Sequence, residues 1–219
     1  MRFRLIGMLM GTVGLLSLLG GTAIAGPADA PDGAGRSCGG LRLTGTLPVP
    51  APGAVVQQQV TIGPGCVPRT GPVRYTPAAR TGPAAPTVVR QLHTRNEIFD
   101  CCGVRLTGLY TTSTWTTDHG RVTSLTTEAT QGWHREPWDA GWSLRSSSKS
   151  DDCTADCAVA NSRATAAFTY RGIFDLTGTW YANTHRSTVR FTADSAPACT
   201  FDVEVRHAFI GWNWQRSCE

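Results

Sequence analysis

The C-terminal part of the chain alternates apolar and polar residues with a period of two, which is typical of strands that bury one face. From Val104 onward, threonine, valine and aromatic residues dominate, and helical patterns are sparse. The alternation predicts strands near residues 104–117, 121–131, 140–147, 162–173, 179–193, 198–207 and 209–217. Their spacing predicts an all-β fold of antiparallel sheets and favours a β-sandwich over a barrel.

The N-terminal part of the chain predicts fewer regular elements. Short strands are predicted at Leu41–Leu47 and Ala54–Ile62, where apolar residues again recur on one face. The segment Thr87–Asp100 fits a short helix and a strand equally well. Farther along the chain, Asp118-His119-Gly120 separates two predicted strands, and its composition predicts a hairpin turn.

Proline marks a boundary near residue 90. Eleven of the 13 prolines precede residue 91, and proline removes a backbone donor that a continuous sheet would need. Between Gly33 and Asn96 there are seven arginines and no acidic residue, and the sequence Arg-Thr-Gly-Pro occurs at 69–72 and again at 80–83. We therefore predict a Pro/Gly-rich basic arm over residues 38–90, which carries the two short strands, and a β-domain over residues 91–219.

Residues 1–25 have the features of a secretory signal peptide. Arg2 and Arg4 precede a short apolar run, and Ala23-Ile24-Ala25 fits a small-x-small cleavage site. Residues 26–37 are mostly small and polar, so a flexible N-terminus is predicted there. The protein is accordingly predicted to be secreted to the extracellular space, with no membrane contact after the signal is cleaved.

All of the cysteines follow the predicted cleavage site, and an even number in an oxidising compartment predicts disulfides before metal sites. They are Cys38, Cys66, Cys101, Cys102, Cys153, Cys157, Cys199 and Cys218. Cys153 and Cys157 are close enough in sequence to close a local loop. A hairpin centred near Ala208 would bring Cys199 beside Cys218, whereas one continuous strand would hold them far apart.

The adjacent pair Cys101 and Cys102 is predicted to have two different partners. In an extended chain their side chains point to opposite faces, so one bond between them is not expected. Cys38 and Cys66 are the remaining cysteines. Bonds to them would tie the basic arm covalently to the β-domain.

Metal, cofactor and nucleic-acid sites are not predicted. His134-Arg135-Glu136 has the H-x-E form of a zinc deaminase, but the following cysteines have the spacing C-x₃-C and lack the preceding proline. The arginines of the arm are spread out instead of forming a run, so no nucleic-acid partner is expected.

Tryptophan identifies the candidate binding site, because three indoles lie within ten residues and beside several polar side chains. The candidate binding residues are Trp133, His134, Arg135, Trp138, Asp139 and Trp142. Indole rings stack on sugar rings, and loops concentrate binding residues. We therefore predict a non-catalytic protein that binds an extracellular polysaccharide or cell-envelope polymer. Trp115, Trp180, Trp212 and Trp214 are predicted to pack in the core instead.

Two other functions remain open. A rigid loop such as Asp151–Cys157 or Val67–Arg74 could enter the cleft of a secreted protease or other hydrolase, which would make the protein an inhibitor. Alternatively, the histidines, with Glu128 or Glu136, could support acid–base catalysis in a small secreted hydrolase or nuclease. No G-x-S-x-G or H-E-x-x-H motif is present, so no catalytic residue is assigned.

One short segment resembles a known structural family. Leu176–Asn183, with the sequence LTGTWYAN, is similar to the G-x-W-Y-N opening strand of avidin-like and lipocalin-like barrels. The resemblance implies that Trp180 would seal the closed end of a barrel. It covers only these residues, late in the chain, and no ligand site is carried over from it.

Overall fold

The computed structural model describes residues 37–77, 89–137, 140–192 and 198–219. The predicted signal peptide at 1–25 lies outside this part, as do the predicted flexible segment up to residue 36 and the second Arg-Thr-Gly-Pro at 80–83. Within the described ranges, the chain forms 14 strands and one short 3₁₀ helix at Pro64–Cys66. No helix in these ranges has the length and hydropathy needed to cross a membrane.

The strands are numbered in chain order. They are β1 (Ser37–Cys38), β2 (Leu41–Pro48), β3 (Val55–Ile62), β4 (Pro68–Thr70), β5 (Arg74–Thr76), β6 (Val89–Phe99), β7 (Arg105–Asp118), β8 (Arg121–Trp133), β9 (Gly141–Asp151), β10 (Val159–Arg171), β11 (Ala182–Thr192), β12 (Ala198–Val205), β13 (Ala208–Phe209) and β14 (Asn213–Cys218).

Two large sheets form the body of the protein. One contains five strands in the order β2-β12-β11-β10-β9, and the other contains the path β4-β3-β14-β6-β7-β8, with β5 also paired to β3. Strands β1 and β13 form a separate two-stranded sheet. All pairings in the two large sheets are antiparallel, and neither sheet closes into a barrel. The predicted all-β antiparallel sandwich is confirmed.

The core lies between the inner faces of the two large sheets. Strand β12 shows why the sequence pattern predicts this arrangement, because every second residue is buried: Cys199, Phe201, Val203 and Val205. Val56, Val60 and Ile62 of β3 are buried in the same way on the facing sheet. Burial of these apolar surfaces is the main stabilising contribution in such a sandwich.

A polar network crosses the same core and joins the two sheets. The side-chain amide of Asn96 on β6 accepts a hydrogen bond at Oδ1 from Trp214 Nε1, over 2.7 Å. His185 Nδ1 of β11 donates to the same oxygen over 3.1 Å. The second ring nitrogen of His185 lies 2.8 Å from Thr107 Oγ1, which accepts from Asn183 Nδ2 over 2.8 Å. These bonds fix one register between the sheets, because a slip would leave buried polar groups without partners.

A strand is present in each of the seven C-terminal regions where one is predicted, although the region 209–217 is divided between β13 and β14, which begins at Asn213. Of the two alternatives predicted for Thr87–Asp100, the described part of the segment contains the strand, β6. The predicted turn after β7 is also present. His119 and Gly120 have positive φ values of 43° and 75°, as a tight hairpin of this type requires.

The strand predicted to begin at residue 179 begins later, at Ala182. Trp180 therefore lies in the turn before β11 and is largely exposed, so its predicted place in the core is wrong. The barrel-end role that the calyx resemblance implies for Trp180 is also wrong, since the sheets do not form a closed barrel. Trp115, Trp212 and Trp214 are buried, as predicted.

Each of the two strands predicted in the basic arm belongs to one of the large sheets. Strand β2 pairs with β12 at an edge of the five-stranded sheet, and β3 pairs with β14 in the other sheet. The prolines between them lie in the connecting loop. Pro68 begins the short strand β4 beside β3, a position where a missing donor is tolerated.

Two predicted disulfides are confirmed, but for one of them the strands that carry the cysteines are not arranged as predicted. Cys153–Cys157 closes a local loop, and Cys199–Cys218 is formed with its Cα atoms 6.4 Å apart. The predicted hairpin between Cys199 and Cys218 is wrong, because β12 and β14 belong to different sheets. This bond therefore fastens one sheet to the other across the core.

The pairing predicted for the other cysteines is wrong. Cys38 bonds to Cys66, with Cα atoms 5.5 Å apart, so neither is available to Cys101 or Cys102. Cys101 and Cys102 are exposed free thiols, and their sulfur atoms lie 3.6 Å apart. They occupy a turn instead of the extended chain from which opposite directions were expected.

Replacing both Cys199 and Cys218 by alanine should lower the free energy of unfolding by about 3 kcal/mol, because their bond constrains a long loop in the unfolded chain. The matched change at Cys153 and Cys157 should cost less, about 2 kcal/mol, because that loop is short. Urea unfolding of the two double variants measures both values. A larger loss from the 153–157 variant would contradict this ranking.

Candidate functional site

The two described tryptophans of the predicted binding loop, Trp133 and Trp142, face the protein interior. Trp142 lies at the start of β9, is only 4% exposed and packs with its ring centre 5.7 Å from that of Tyr170. Trp133 ends β8, is half-buried and packs against Phe168. Trp142 thus belongs to the core and is not available for stacking on a ligand, because its ring is already covered.

The polar residues of this loop are placed differently. His134 and Arg135 are exposed, and the Arg135 guanidinium lies 5.6 Å from the centre of the Trp133 ring. The backbone N–H of Trp142 donates to the carbonyl of His134, so the two sides of the loop lie close together. Trp138 and Asp139 lie outside the described residues. The described part of the loop offers charge and hydrogen bonds rather than an open aromatic surface.

A cavity of about 540 Å³ opens elsewhere, beside β3. Strand β4 pairs with the end of β3 and β5 pairs with its beginning, so the segment between β4 and β5 must leave the sheet in the middle. Gly71 in this segment donates its backbone N–H to the carbonyl of Gln59. Strands β6 and β14 contribute the remaining wall. Apart from one glycine and one proline, every residue that lines the cavity has a polar or charged side chain.

Arg216 of β14 is the most unusual residue of this cavity. It is 4% exposed, and its guanidinium lies 4.3 Å from the centre of the Trp214 ring. Gly45 of the facing sheet makes room for it, because a Cβ there would lie 2.5 Å from the guanidinium carbon. Its Nη2 donates to Gln58 Oε1, but Nε and Nη1 have no partner among the described residues.

Arg216 is a cation at neutral pH in spite of its burial. Loss of solvation lowers the pKa of its guanidinium to about 10, which still lies far above neutrality. A buried charge is normally paired with an opposite charge, because removing it from water is costly. Within the described ranges no carboxylate pairs with Arg216, nor with the exposed Arg69 and Arg74 of the same cavity.

The other charged groups of the cavity are already paired. Arg95 Nε lies 2.8 Å from a carboxylate oxygen of Glu219. Glu97 accepts a hydrogen bond of 2.5 Å from the hydroxyl of Tyr110 and lies 3.7 Å from Arg105. Three arginines without a carboxylate therefore leave the cavity positively charged. Such a site attracts anions and can donate several N–H groups to their oxygen atoms.

Tyr110 provides a flat ring next to the cavity. The ring lies on the outer face of the seven-stranded sheet above two neighbouring glycines, since a Cβ at Gly108 or Gly132 would come within 3.1 or 3.3 Å of a ring carbon. Its hydroxyl also accepts from Arg105 Nη1 over 2.8 Å. Burial, together with the hydrogen bond to Glu97, raises the pKa of Tyr110 well above its ordinary value. The phenol thus stays protonated and its ring is held in one position.

The histidines lie in different parts of the fold. His93 is on the outer side of β6, His119 is in the β7–β8 turn, His134 follows β8, His185 is in the core, and His207 stacks on Trp180. Burial lowers the pKa of His185 to about 3, so this imidazole is neutral at physiological pH. Among the described residues, no cluster of three or more histidine, cysteine, aspartate or glutamate side chains could hold a metal ion.

The sequence contains a signal for the burial of Arg216. The apolar alternation of the last strand continues through Trp212 and Trp214, so the next position on the buried face is Arg216. An arginine at such a position needs a partner, and the sequence alone does not tell whether one is nearby.

Comparisons with protein-family models, with curated proteins and with solved structures find no match for this chain.

Proposed function

We propose that this is an extracellular, non-catalytic binding protein that recognises an anionic polysaccharide or cell-envelope polymer in the cavity beside β3. The observation that carries the proposal is the positive charge of the cavity: the exposed Arg69 and Arg74 line it without a carboxylate partner among the described residues, and the buried guanidinium of Arg216 lies on the core side of the adjoining strand β14. Carboxylates and phosphates present the paired oxygen atoms that guanidinium groups bind in a bidentate manner. An anionic group in the cavity would pair with the exposed guanidinium groups and would also be attracted by the buried charge of Arg216.

The remainder of the cavity suits a sugar polymer. Gln57, Gln59 and Gln215 line it with amides, each of which can both donate to and accept from hydroxyl groups. Tyr110 adjoins the cavity through Glu97 and offers an aromatic ring on which a sugar can stack. Polar side chains around one aromatic surface are the usual composition of a specific site for a polar ligand.

The proposed extracellular location has separate support. Three disulfides fit an oxidising compartment, and the N-terminal sequence has the features of a secretory signal. Polysaccharides with uronate groups and phosphate-containing envelope polymers are exposed to proteins in this location. We infer that Arg69 and Arg74 bind anionic groups of the polymer and that the charge of Arg216 adds to the attraction.

Replacing Arg69 and Arg74 together by glutamine should weaken binding to polygalacturonate by about tenfold or more, because two charged hydrogen-bond donors are lost. Both side chains are exposed, so the fold should not change. Sedimentation with the cross-linked polymer measures the dissociation constant, and neutral cellulose serves as the uncharged comparison. Wild-type protein should bind the anionic polymer and not the neutral one.

The matched control replaces Arg145 and Arg190 by glutamine. These arginines are also exposed but belong to β9 and β11 of the other sheet, and the change in net charge is the same. The control should bind polygalacturonate nearly as well as the wild type. Equal losses in the two double variants would contradict a site in the cavity, because net charge alone would then explain binding.

A protease or hydrolase inhibitor is the second candidate, supported by the loop after β9. The Cys153–Cys157 bond closes this loop, and Arg121 Nε lies 2.6 Å from Asp156 Oδ1. Such constraints lower the entropy lost when a loop enters a cleft. Assays of secreted proteases with micromolar protein decide this point. Inhibition that is lost when Cys153 and Cys157 are replaced would favour the inhibitor.

A further inference from the structure

The turn between β10 and β11 presents a group of large apolar side chains to solvent. We define the apolar tip as Ile173, Phe174, Leu176 and Trp180, which are 60% to 78% exposed. Single exposed apolar residues are common on protein surfaces, but four within one short turn concentrate apolar surface in one place. Patches of this kind mark surfaces that contact another apolar phase or partner.

The turn that carries the tip is held in one conformation by Asp175. One carboxylate oxygen accepts hydrogen bonds from the backbone N–H groups of Thr177 and Gly178 and from the Thr177 hydroxyl. The other accepts from the backbone N–H groups of Trp180 and Tyr181. Burial opposes ionisation, but these hydrogen bonds outweigh it and lower the pKa of Asp175 to about 2. The backbone that carries the apolar side chains is thus held in place before any contact is made.

Three exposed arginines lie on the elements that adjoin this tip, where Glu136, which contacts the Tyr170 hydroxyl, is also present. Arg171 is exposed at the end of β10, and Arg206 is exposed and donates from Nη1 to the carbonyl of Thr179 over 2.6 Å. Arg135 is also exposed, and the strand register places it one pairing step from Arg171, through Gly141. The only acidic residue of segment 171–182 is Asp175, whose carboxylate is already surrounded by donors.

We propose that the apolar tip inserts into the headgroup region of a lipid bilayer that carries anionic lipids. A projecting apolar surface with arginines at its base matches both parts of such a membrane, the acyl boundary and the phosphate layer. Tryptophan is favoured at this boundary as well. The sequence pattern predicts no membrane contact, because the tip residues are interrupted by polar ones and form no long apolar run. This proposal does not depend on the polymer site.

Sedimentation with lipid vesicles tests the proposal. Wild-type protein should bind vesicles of phosphatidylcholine with phosphatidylglycerol, and should bind vesicles of phosphatidylcholine alone at least about tenfold more weakly. The variant Phe174→Ser/Leu176→Ser should bind the anionic vesicles at least about tenfold more weakly than the wild type. All proteins must share one determined N-terminus, so that any contribution from residues 1–25 is equal.

The matched control removes two exposed valines elsewhere, in Val104→Ser/Val159→Ser, and should bind anionic vesicles like the wild type. Circular dichroism checks that both double variants are folded. Equal vesicle binding by the Phe174→Ser/Leu176→Ser variant and the wild type would overturn the proposal. If the wild-type protein bound neither kind of vesicle, the proposal would also be overturned. That result would point to a protein as the binding partner of the apolar tip. Equal wild-type binding to neutral and anionic vesicles would overturn the role of the arginines.

Discussion

Replacing Trp214 by alanine should lower the free energy of unfolding by about 3–5 kcal/mol. Trp214 is fully buried in the central strand β14, where it pairs with Val60 on one side and Ile98 on the other. Its loss would leave a large cavity between the sheets, remove the Nε1 donor to Asn96 and remove the ring beside Arg216. Urea unfolding followed by circular dichroism measures the change.

The variant Trp214→Phe separates packing from hydrogen bonding. Phenylalanine keeps most of the buried ring but cannot donate to Asn96, so we expect a smaller loss of about 1–3 kcal/mol. Because Arg216 still rests on a ring in this variant, binding of the anionic polymer should stay close to that of the wild type. A loss below about 1 kcal/mol for Trp214→Ala would contradict the structural role given to this residue.

The sequence predicts the strands well because burial on one face leaves a period of two. Phe201, Val203 and Val205 show this period, and β12 lies where they place it. The turn at His119 and Gly120 follows from local chemistry, since only a few residue types favour positive φ. Neither signal depends on distant parts of the chain, so both can be recognised from the sequence.

Sheet order depends on distant contacts and was predicted less well. The bond between Cys199 and Cys218 is predicted correctly. A hairpin and two facing sheets both bring such residues together, because each arrangement turns two buried faces toward the same core. The sequence pattern does not distinguish these arrangements, whereas the register of β12 with β2 and of β14 with β3 does.

The candidate site was difficult to predict for a related reason. Clustering of Trp133 and Trp142 in the sequence says nothing about the direction of their rings, and the structure turns both toward the core. Trp180 was expected in the core because a strand was predicted there, but Asp175 organises a turn instead. For Arg216, the alternation of apolar and polar residues predicts burial of the side chain. Whether its guanidinium has a partner depends on how the two sheets pack, which the sequence pattern does not show.

The buried His185 should make stability depend strongly on pH. Its folded-state pKa is lowered to about 3 by burial, from an ordinary value of 6.5, so the unfolded chain takes up a proton below pH 6.5 and the folded protein does not. The full contribution to stability is present above pH 6.5 and is lost at about 1.4 kcal/mol per pH unit as the pH falls toward 3. Urea unfolding at pH 7.5 and pH 5 should therefore differ by about 2 kcal/mol from this residue.

The hydrogen bonds of His185 explain why the folded protein resists protonation. Asn96 Oδ1 can only accept, so Nδ1 carries the proton and Nε2 accepts from the Thr107 hydroxyl. A second ring proton would force that hydroxyl to turn away, while Asn183 Nδ2 still donates to its oxygen. The Oδ1 atom of Asn183 is buried without a partner among the described residues, and the nearby core offers no carboxylate contact to a charged ring within those residues.

The variant His185→Gln provides the matched control, because glutamine can donate and accept but does not titrate in this range. Its stability should depend less on pH than that of the wild type, by about 2 kcal/mol between pH 7.5 and pH 5. Nuclear magnetic resonance of the wild-type His185 ring gives a test that needs no variant: its chemical shifts should not titrate between pH 8 and pH 5. Titration of this ring near pH 6.5 in the folded protein would contradict the neutral, buried imidazole on which the contact between the two sheets depends.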